Sequence, residues 1–193
     1  MKKKIIGITG GSGSGKSTLA SLFAADGFYI IDCDALVHDL YETDEYRKTV
    51  LSAFPTAGEN GKINREKLAQ AVFSDPVNLQ RLNDAVLPMI RKAVLSLAEN
   101  ARGYRGVVLD APTLFEAGLE KECDAVVGVT ANKELRTKRI QMRDGISCEA
   151  ARARIDSQKS DDFYIANCDF TVSGNDSGEL KREYADILKK IGA

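Results

Sequence analysis

The chain has 193 residues, enough for one domain with a sizeable core and an inserted lobe. Hydrophobic residues make up 44% and charged residues 28%, and the formal net charge is −1, so composition gives no case for a nucleic-acid or membrane partner. The four cysteines (Cys33, Cys123, Cys148, Cys168) form no C-x-x-C pair and His38 is the single histidine, which argues against a zinc site and against Ser-His-Asp or Cys-His chemistry.

Met1-Lys2-Lys3-Lys4 has the charge of a signal-peptide start, but the apolar stretch behind it is short and broken by Gly7, Thr9 and Gly10. With reduced thiols and no membrane-length apolar run, the expectation is a cytoplasmic protein. Lys4 to Thr9 is a short β-rich apolar run, the pattern of a buried strand. A Gly/Ser loop follows, then a helix over about 16–25 with Leu19, Leu22 and Phe23 on one face. Gly27 ends it, and Phe28 to Ile31 reads as a second strand stopping at Asp32. Strand, loop, helix and strand within so few residues make a βαβ unit, which implies a parallel sheet. The stretch 35–100 reads as an inserted helical lobe without strands, its helices at about 35–53, 64–73 and 76–99. Breaks fall near Pro55-Thr56-Ala57-Gly58 and Ser74-Asp75-Pro76. The sheet resumes with Gly106 to Asp110, a strand ending in an acid, and with Ala125 to Val129. A polar helical stretch from Lys133 to about Tyr164 carries many arginines. Phe170 to Val172 reads as a last short strand and Glu179 to Ile191 as a closing amphipathic helix. The domain core is thus expected over 1–34 and 101–193.

Gly10-Gly11-Ser12-Gly13-Ser14-Gly15-Lys16-Ser17 fits G-x-x-x-x-G-K-[ST] at every position. A polyphosphate needs several backbone N–H donors brought close together, and only a loop poor in side chains allows that approach. Lys16 supplies charge to the β- and γ-phosphates, Ser17 a hydroxyl where Mg²⁺ needs a ligand, and the helix opening there adds donors and a favourable dipole. A dinucleotide fingerprint from Gly11 fails, because its third glycine would fall on Lys16. A GTPase needs N-K-x-D, but Leu135 follows Asn132-Lys133-Glu134 where the acid should be, and no D-x-x-G follows Asp110. A motor ATPase calls for a larger chain and a partner's arginine.

A small-molecule kinase needs an acid at the acceptor hydroxyl and cations over the transferring phosphoryl group, and the sequence offers both. Asp32 and Asp34 stand at the end of the second strand, where ligands of open parallel sheets bind; capping the next helix would explain one acid, not two. Arg136, Arg139 and Arg143 are spaced i, i+3, i+7 and share one helix face, and with Arg152 and Arg154 they read as a lid hinged at Gly145.

These pieces, in this order, resemble the dephospho-coenzyme A kinase family over nearly the whole chain. Ile6-Gly7-Ile8-Thr9-Gly10-Gly11 through Lys16-Ser17-Thr18 is close to the family's start, and Ile31-Asp32-Cys33-Asp34 resembles its I-D-x-D pair. Asn64-Arg65-Glu66-Lys67-Leu68 resembles a stretch of its inserted lobe, and Asp110-Ala111-Pro112-Thr113-Leu114-Phe115-Glu116 its D-x-P-L-L-F-E segment. Met142-Arg143-Asp144-Gly145 and Arg154 to Gln158 resemble its lid. The chain departs from the pattern at Leu87-Pro88, where the family usually has His-Pro, at Thr113-Leu114, where it has two leucines, and at Ser173-Gly174-Asn175-Asp176, where it has an Asn-Gly-like turn near the adenine.

The resemblance implies a three-layer α/β P-loop kinase fold with a five-stranded parallel sheet, a helical acceptor lobe and a short lid over about 139–165. It implies transfer of the ATP γ-phosphoryl to the ribose 3′-hydroxyl of dephospho-coenzyme A, with Mg²⁺; the sequence gives no reason to invoke a protein partner. Gly10 to Thr18 would bind ATP, and Ser17 the metal. Lys16, Asp34 as base with Asp32 beside it, and the lid cations Arg139 and Arg143 would be catalytic. Arg65, Pro112 and Leu114 would join Asp34 in holding the acceptor. A kinase for another nucleotide-like acceptor and a protein that binds ATP without transfer are the readings the residues leave open.

Overall fold

In this computed structural model, residues 3–73 and 75–192 are described. The apolar run at the N-terminus forms β1 (Lys4–Thr9), buried from Ile5 onward. The loop behind it leads into α1 (Lys16–Ala25), which buries Leu19, Ala20 and Phe23. The next strand, β2 (Tyr29–Asp32), lies one residue later than the pattern predicts. Phe28 is buried in the core instead of pairing in the ladder, and Asp32 takes the last ladder position.

The chain divides into two compact units, Met1–Asp32 with Ala98–Ala193, and Cys33–Leu97. The second contains α2 (Cys33–Tyr41), α3 (Asp44–Ala53), a hairpin of β3 (Gly58–Glu59) and β4 (Lys62–Ile63), α4 (Arg65–Phe73) and most of α5 (Pro76–Asn100). Two expectations change here. The helix predicted over 35–53 is two helices, because the Thr43 hydroxyl accepts from Tyr46 N–H at 3.2 Å and starts α3 afresh. The stretch predicted to lack strands holds the hairpin, whose turn residues Asn60 (φ 50°) and Gly61 (φ 73°) both take the left-handed conformation favoured in two-residue hairpins. Asn64 opens α4, its side-chain oxygen accepting from Glu66 and Lys67 N–H. Of the predicted break at 74–76, Ser74 lies outside the described residues.

The first unit continues with β5 (Gly106–Asp110), β6 (Ala125–Thr130), α6 (Lys133–Asp144), α7 (Cys148–Asp156), α8 (Asp161–Asn167), β7 (Phe170–Ser173) and α9 (Ser177–Ile191). Five strands form a parallel sheet in the order β2-β5-β1-β6-β7. Alternate residues of the central strands face opposite layers. Ile6, Ile8, Val108, Val127 and Val129 pack under α1 and α9, whose Phe23 and Tyr184 rings meet edge to face at 4.8 Å. Gly7 and Gly128 face the other layer, where a Cβ on Gly7 would come 2.8 Å from Leu114 and one on Gly128 would come 2.9 Å from Cys168.

The chain leaving β1 runs to the β2 edge and the chain leaving β5 runs to the β6 side. The topological switch point therefore lies between β1 and β5, beside the loop that follows β1. Among the described residues, no helix is long and apolar enough to cross a membrane.

Candidate functional site

The loop Gly10–Gly15 joins the carboxyl end of β1 to α1. Gly13 (φ 74°) and Gly15 (φ 110°) are left-handed, a backbone shape that turns successive N–H groups toward one point. No side chain caps α1, whereas Thr43, Asn132, Ser147, Ser160 and Asp176 cap α3, α6, α7, α8 and α9. An uncapped N-terminus behind a glycine cradle suits a phosphate, which itself satisfies the first-turn donors. Lys16 curls back over the loop, its Nζ donating to Gly10 O at 2.8 Å and Gly11 O at 3.3 Å. Ser17 and Thr18 lie exposed in the first turn.

Register sets the acids. Asp32 of β2 pairs with Asp110 of β5, and Asp110 pairs with Ile8 of β1, so both carboxylates sit at strand ends beside the loop's strand. Asp110 was not among the predicted site residues, although the acid closing that strand was visible in the sequence. An acid at the end of the strand next to the P-loop strand is the position from which such proteins steady a magnesium ion. Among the described residues, no group of three or more His, Cys, Asp or Glu side chains gathers to hold a metal. Mg²⁺ takes oxygen ligands, and Ser17, Asp32 and Asp110 are oxygen-bearing side chains at this end of the sheet.

The arginines predicted to share one face meet different partners. Arg139 donates to Gly13 O at 3.1 Å and Ser14 O at 3.5 Å, which places its guanidinium on the loop. Arg136 is buried and bonds the loop at Ser12. Arg143 turns away to form a two-point pair with Asp144, at 2.7 and 3.0 Å, and Arg154 joins the same carboxylate. The Arg143 hydrogen bonds, seconded by Arg154, hold the Asp144 carboxyl down at about 2. Gly145, in the left-handed conformation at φ 66°, ends α6 as its C-cap.

Asp34 lies exposed in the first turn of α2, where the helix dipole favours a carboxylate, and the strand-to-helix passage from Asp32 has no intervening loop. Arg65, in the same unit, sits over the Tyr41 ring at 5.5 Å and 3.7 Å from Glu42. The Pro112 carbonyl accepts from the Thr9 hydroxyl at 3.3 Å, just before the loop. Leu114 departs from its expected role. It is fully buried against Gly7, so it supports the wall behind the site and presents no surface to an acceptor. The turn after β7 was expected near the adenine. It lies against the loop, and a Cβ on Gly15 would sit 3.5 Å from Gly174 Cα.

A dephospho-CoA kinase family model matches residues 4–180. A dephospho-CoA kinase from Bradyrhizobium diazoefficiens is 38% identical, over 97% of this chain and 96% of that protein. The crystal structure of TT1252 from Thermus thermophilus superposes with a TM-score of 0.82 at 33% identity, covering 98% of each chain. A dephospho-CoA kinase from Campylobacter jejuni gives 0.57 at 25% identity, covering 99% of this chain and 98% of its own. A family match over nearly the whole chain, on a fold and a phosphate-binding loop of the same kind, means that the chain belongs to the dephospho-CoA kinase family.

Proposed function

We propose that this protein transfers the γ-phosphoryl group of ATP to the ribose 3′-hydroxyl of dephospho-CoA. The observation that carries the donor half is the glycine cradle opening an uncapped helix, with Lys16 folded over it and Arg139 against Gly13 and Ser14. On ATP binding Lys16 swings from the loop carbonyls to the β- and γ-phosphates. Arg139 covers the charge that develops on the transferring group, and Arg143 reaches it only by leaving Asp144. Ser17, with Asp110 or Asp32, would hold Mg²⁺, which supplies charge neutralisation at the β- and γ-oxygens.

For the acceptor half, two adjoining clefts of the Cys33–Leu97 unit support the reading. One, of about 150 Å³, gathers the three cations Arg47, Lys62 and Arg65 against a single acid, Glu42. The other, of about 310 Å³, is mostly apolar, with Leu68, Val72, Leu79 and Leu82 in its walls, and shares Tyr41 and Arg65 with the first. An acceptor that joins a diphosphate to a long neutral arm needs a cationic cleft continuous with an apolar one. Asp34 accepts the proton of the attacking hydroxyl. The new P–O bond forms on the acceptor oxygen, the bond to the β–γ bridging oxygen breaks, and ADP leaves. The paired acids follow one another in the chain, Asp32 orienting and Asp34 taking the proton. Four cysteines outside any disulfide are in keeping with a cytoplasmic setting.

The test is an ADP-release assay with Mg-ATP, with and without dephospho-CoA, followed by product mass. The expected result is ADP formed only with that acceptor and a product heavier by one phosphoryl group. Protein that binds ATP but shows no turnover would refute the acceptor assignment and direct the search to other nucleotides.

A further inference from the structure

Arg136 has surroundings unlike those of the other arginines on its helix. Its residue is only 4% exposed, and each edge of the guanidinium meets a different acceptor. Nε donates to the Ser12 carbonyl at 3.0 Å, NH2 to Gln158 Oε1 at 3.1 Å, and NH1 to Asp161 Oδ1 at 3.4 Å. Gln158 in turn holds Ser12 twice. Its Oε1 accepts from the Ser12 N–H at 2.9 Å, and its Nε2 donates to the Ser12 hydroxyl oxygen at 2.9 Å. Two side chains, one from α6 and one from the α7–α8 connection, thus engage the N–H, the carbonyl and the hydroxyl of the residue at the loop's apex. Gly11 makes the approach possible, since a Cβ there would overlap the guanidinium and lie 2.8 Å from its central carbon. A buried guanidinium is tolerated where each of its nitrogens finds an acceptor, and a planar fork with three separated acceptors is a fixed geometry that a flexible ammonium does not reproduce.

We propose that Arg136 is a positioning residue for nucleotide binding: with Gln158 it locks Ser12, sets the phosphate-binding loop in shape before ATP arrives, and ties that loop to the arginine-bearing segment Lys133–Asp161. Ser12 itself points its polar groups at the clasp, so its part is to anchor the cradle whose later residues meet the phosphates. The inference rests on the nucleotide-binding reading of the P loop.

The test compares Arg136→Lys, Gln158→Met and the double variant with wild type, using Lys16→Ala as the control for the loop itself. ATP affinity is read by calorimetry, KM for ATP and for the acceptor by turnover, and Tm by melting. Each single variant is expected to weaken ATP binding about tenfold or more, the size of losing a hydrogen bond to a charged group. KM for the acceptor stays at its wild-type value, and the double variant is no weaker than the worse single, because both act through Ser12. If Arg136→Lys retains wild-type ATP affinity, charge alone suffices and the positioning role is overturned. A fall in Tm with both KM values unchanged also overturns it, since that is packing without positioning. Gln158 is half-buried in a connection, so Gln158→Met decides the matter should Arg136→Lys not fold. Loss of affinity in Lys16→Ala with wild-type affinity in the two clasp variants defeats this proposal alone. Wild-type affinity in Lys16→Ala defeats the P-loop reading and this proposal together.

Discussion

Gly174 offers a way to move the phosphate-binding loop without touching any group that contacts a phosphate. It follows β7, donates its N–H to Thr130 O at 2.8 Å, and lies directly on the backbone of Ser14. Its φ lies outside the left-handed region, so Gly174→Ala adds a methyl group without backbone strain. That methyl would overlap the Ser14 carbonyl oxygen and come 2.9 Å from its carbon, where carbon atoms pack at about 3.5–4.0 Å. Both neighbours are main chain, and the oxygen is the tighter contact, so the loop and the turn must separate by roughly 1 Å or more. Overpacking of this kind costs about 1–3 kcal/mol, which lowers Tm by roughly 2–12 °C at about 2–4 °C per kcal/mol for a chain of this size. The larger effect is on function. Misplacing reacting groups by about 1 Å can cost on the order of 100-fold, so KM for ATP should rise by roughly ten- to a hundredfold while KM for the acceptor stays put. Gly178→Ala is the control. It lies in the first turn of α9, where a Cβ meets side chains alone, the Asp176 carboxylate at 3.1 Å and the Arg182 guanidinium at 4.0 Å. Melting and steady-state kinetics on both variants check the argument. A Gly174→Ala protein with wild-type Tm and wild-type KM for ATP would refute the claim that the turn and the loop are rigidly packed.

Asp34→Asn should lower turnover far more than it weakens ATP binding, because the acid acts on the acceptor; equal loss of ATP affinity, read by calorimetry, would instead assign it to the nucleotide. The Asp144 carboxyl is held at about 2 against an ordinary value of 3.8, so its contribution to stability is present above the ordinary value and is lost as pH falls through about 2. The Tm difference between wild type and Asp144→Asn should therefore be constant from neutral pH to about 5 and shrink between about 4 and 2, as melts across pH would show. Burial, with the Asp169 charge behind it, pushes the Cys168 thiol up to about 12. Cys168 should resist alkylation at pH 8 in the native protein and label on unfolding, with peptide masses locating the adduct.

The phosphate-binding loop could be read from the sequence because everything that makes it is local: a buried strand, a glycine cradle and an amphipathic helix follow one another within Lys4–Ala25. The end of the second strand at Asp32 could be read too, since a strand's end is marked by the residue that stops it. What could not be read depends on events too small or too distant for periodicity. The break at Thr43 is one residue's choice to cap a new helix inside an unbroken helical pattern. The two-residue strands of the hairpin show no alternation, and only Asn60-Gly61 marks their turn. Leu114 sits in a segment whose sequence looks like a binding motif, yet Gly7, far away in the chain, provides the space that buries it.

The arginines show most clearly where a pattern stops being informative. Spacing puts Arg136, Arg139 and Arg143 on one face of α6, and a helix face normally predicts one environment. Here the face runs along the phosphate-binding loop, and the roles divide by what lies opposite each turn. Arg136 and Arg139 find carbonyls 124 and 126 residues away in the chain, whereas Arg143 finds its own neighbour, Asp144. A long-range acceptor fixes a cation against the loop. A neighbouring carboxylate holds an exposed side chain away from the loop, in a surface pair open to screening by competing charge. Under the proposed function Arg143 is therefore the one of the three placed to change partners when phosphate charge arrives, and Arg136 the one that is not. The residue that spacing groups with mobile cations is the one that the fold immobilises, because Gly11 leaves room for it and Gln158 and Asp161 complete its acceptors.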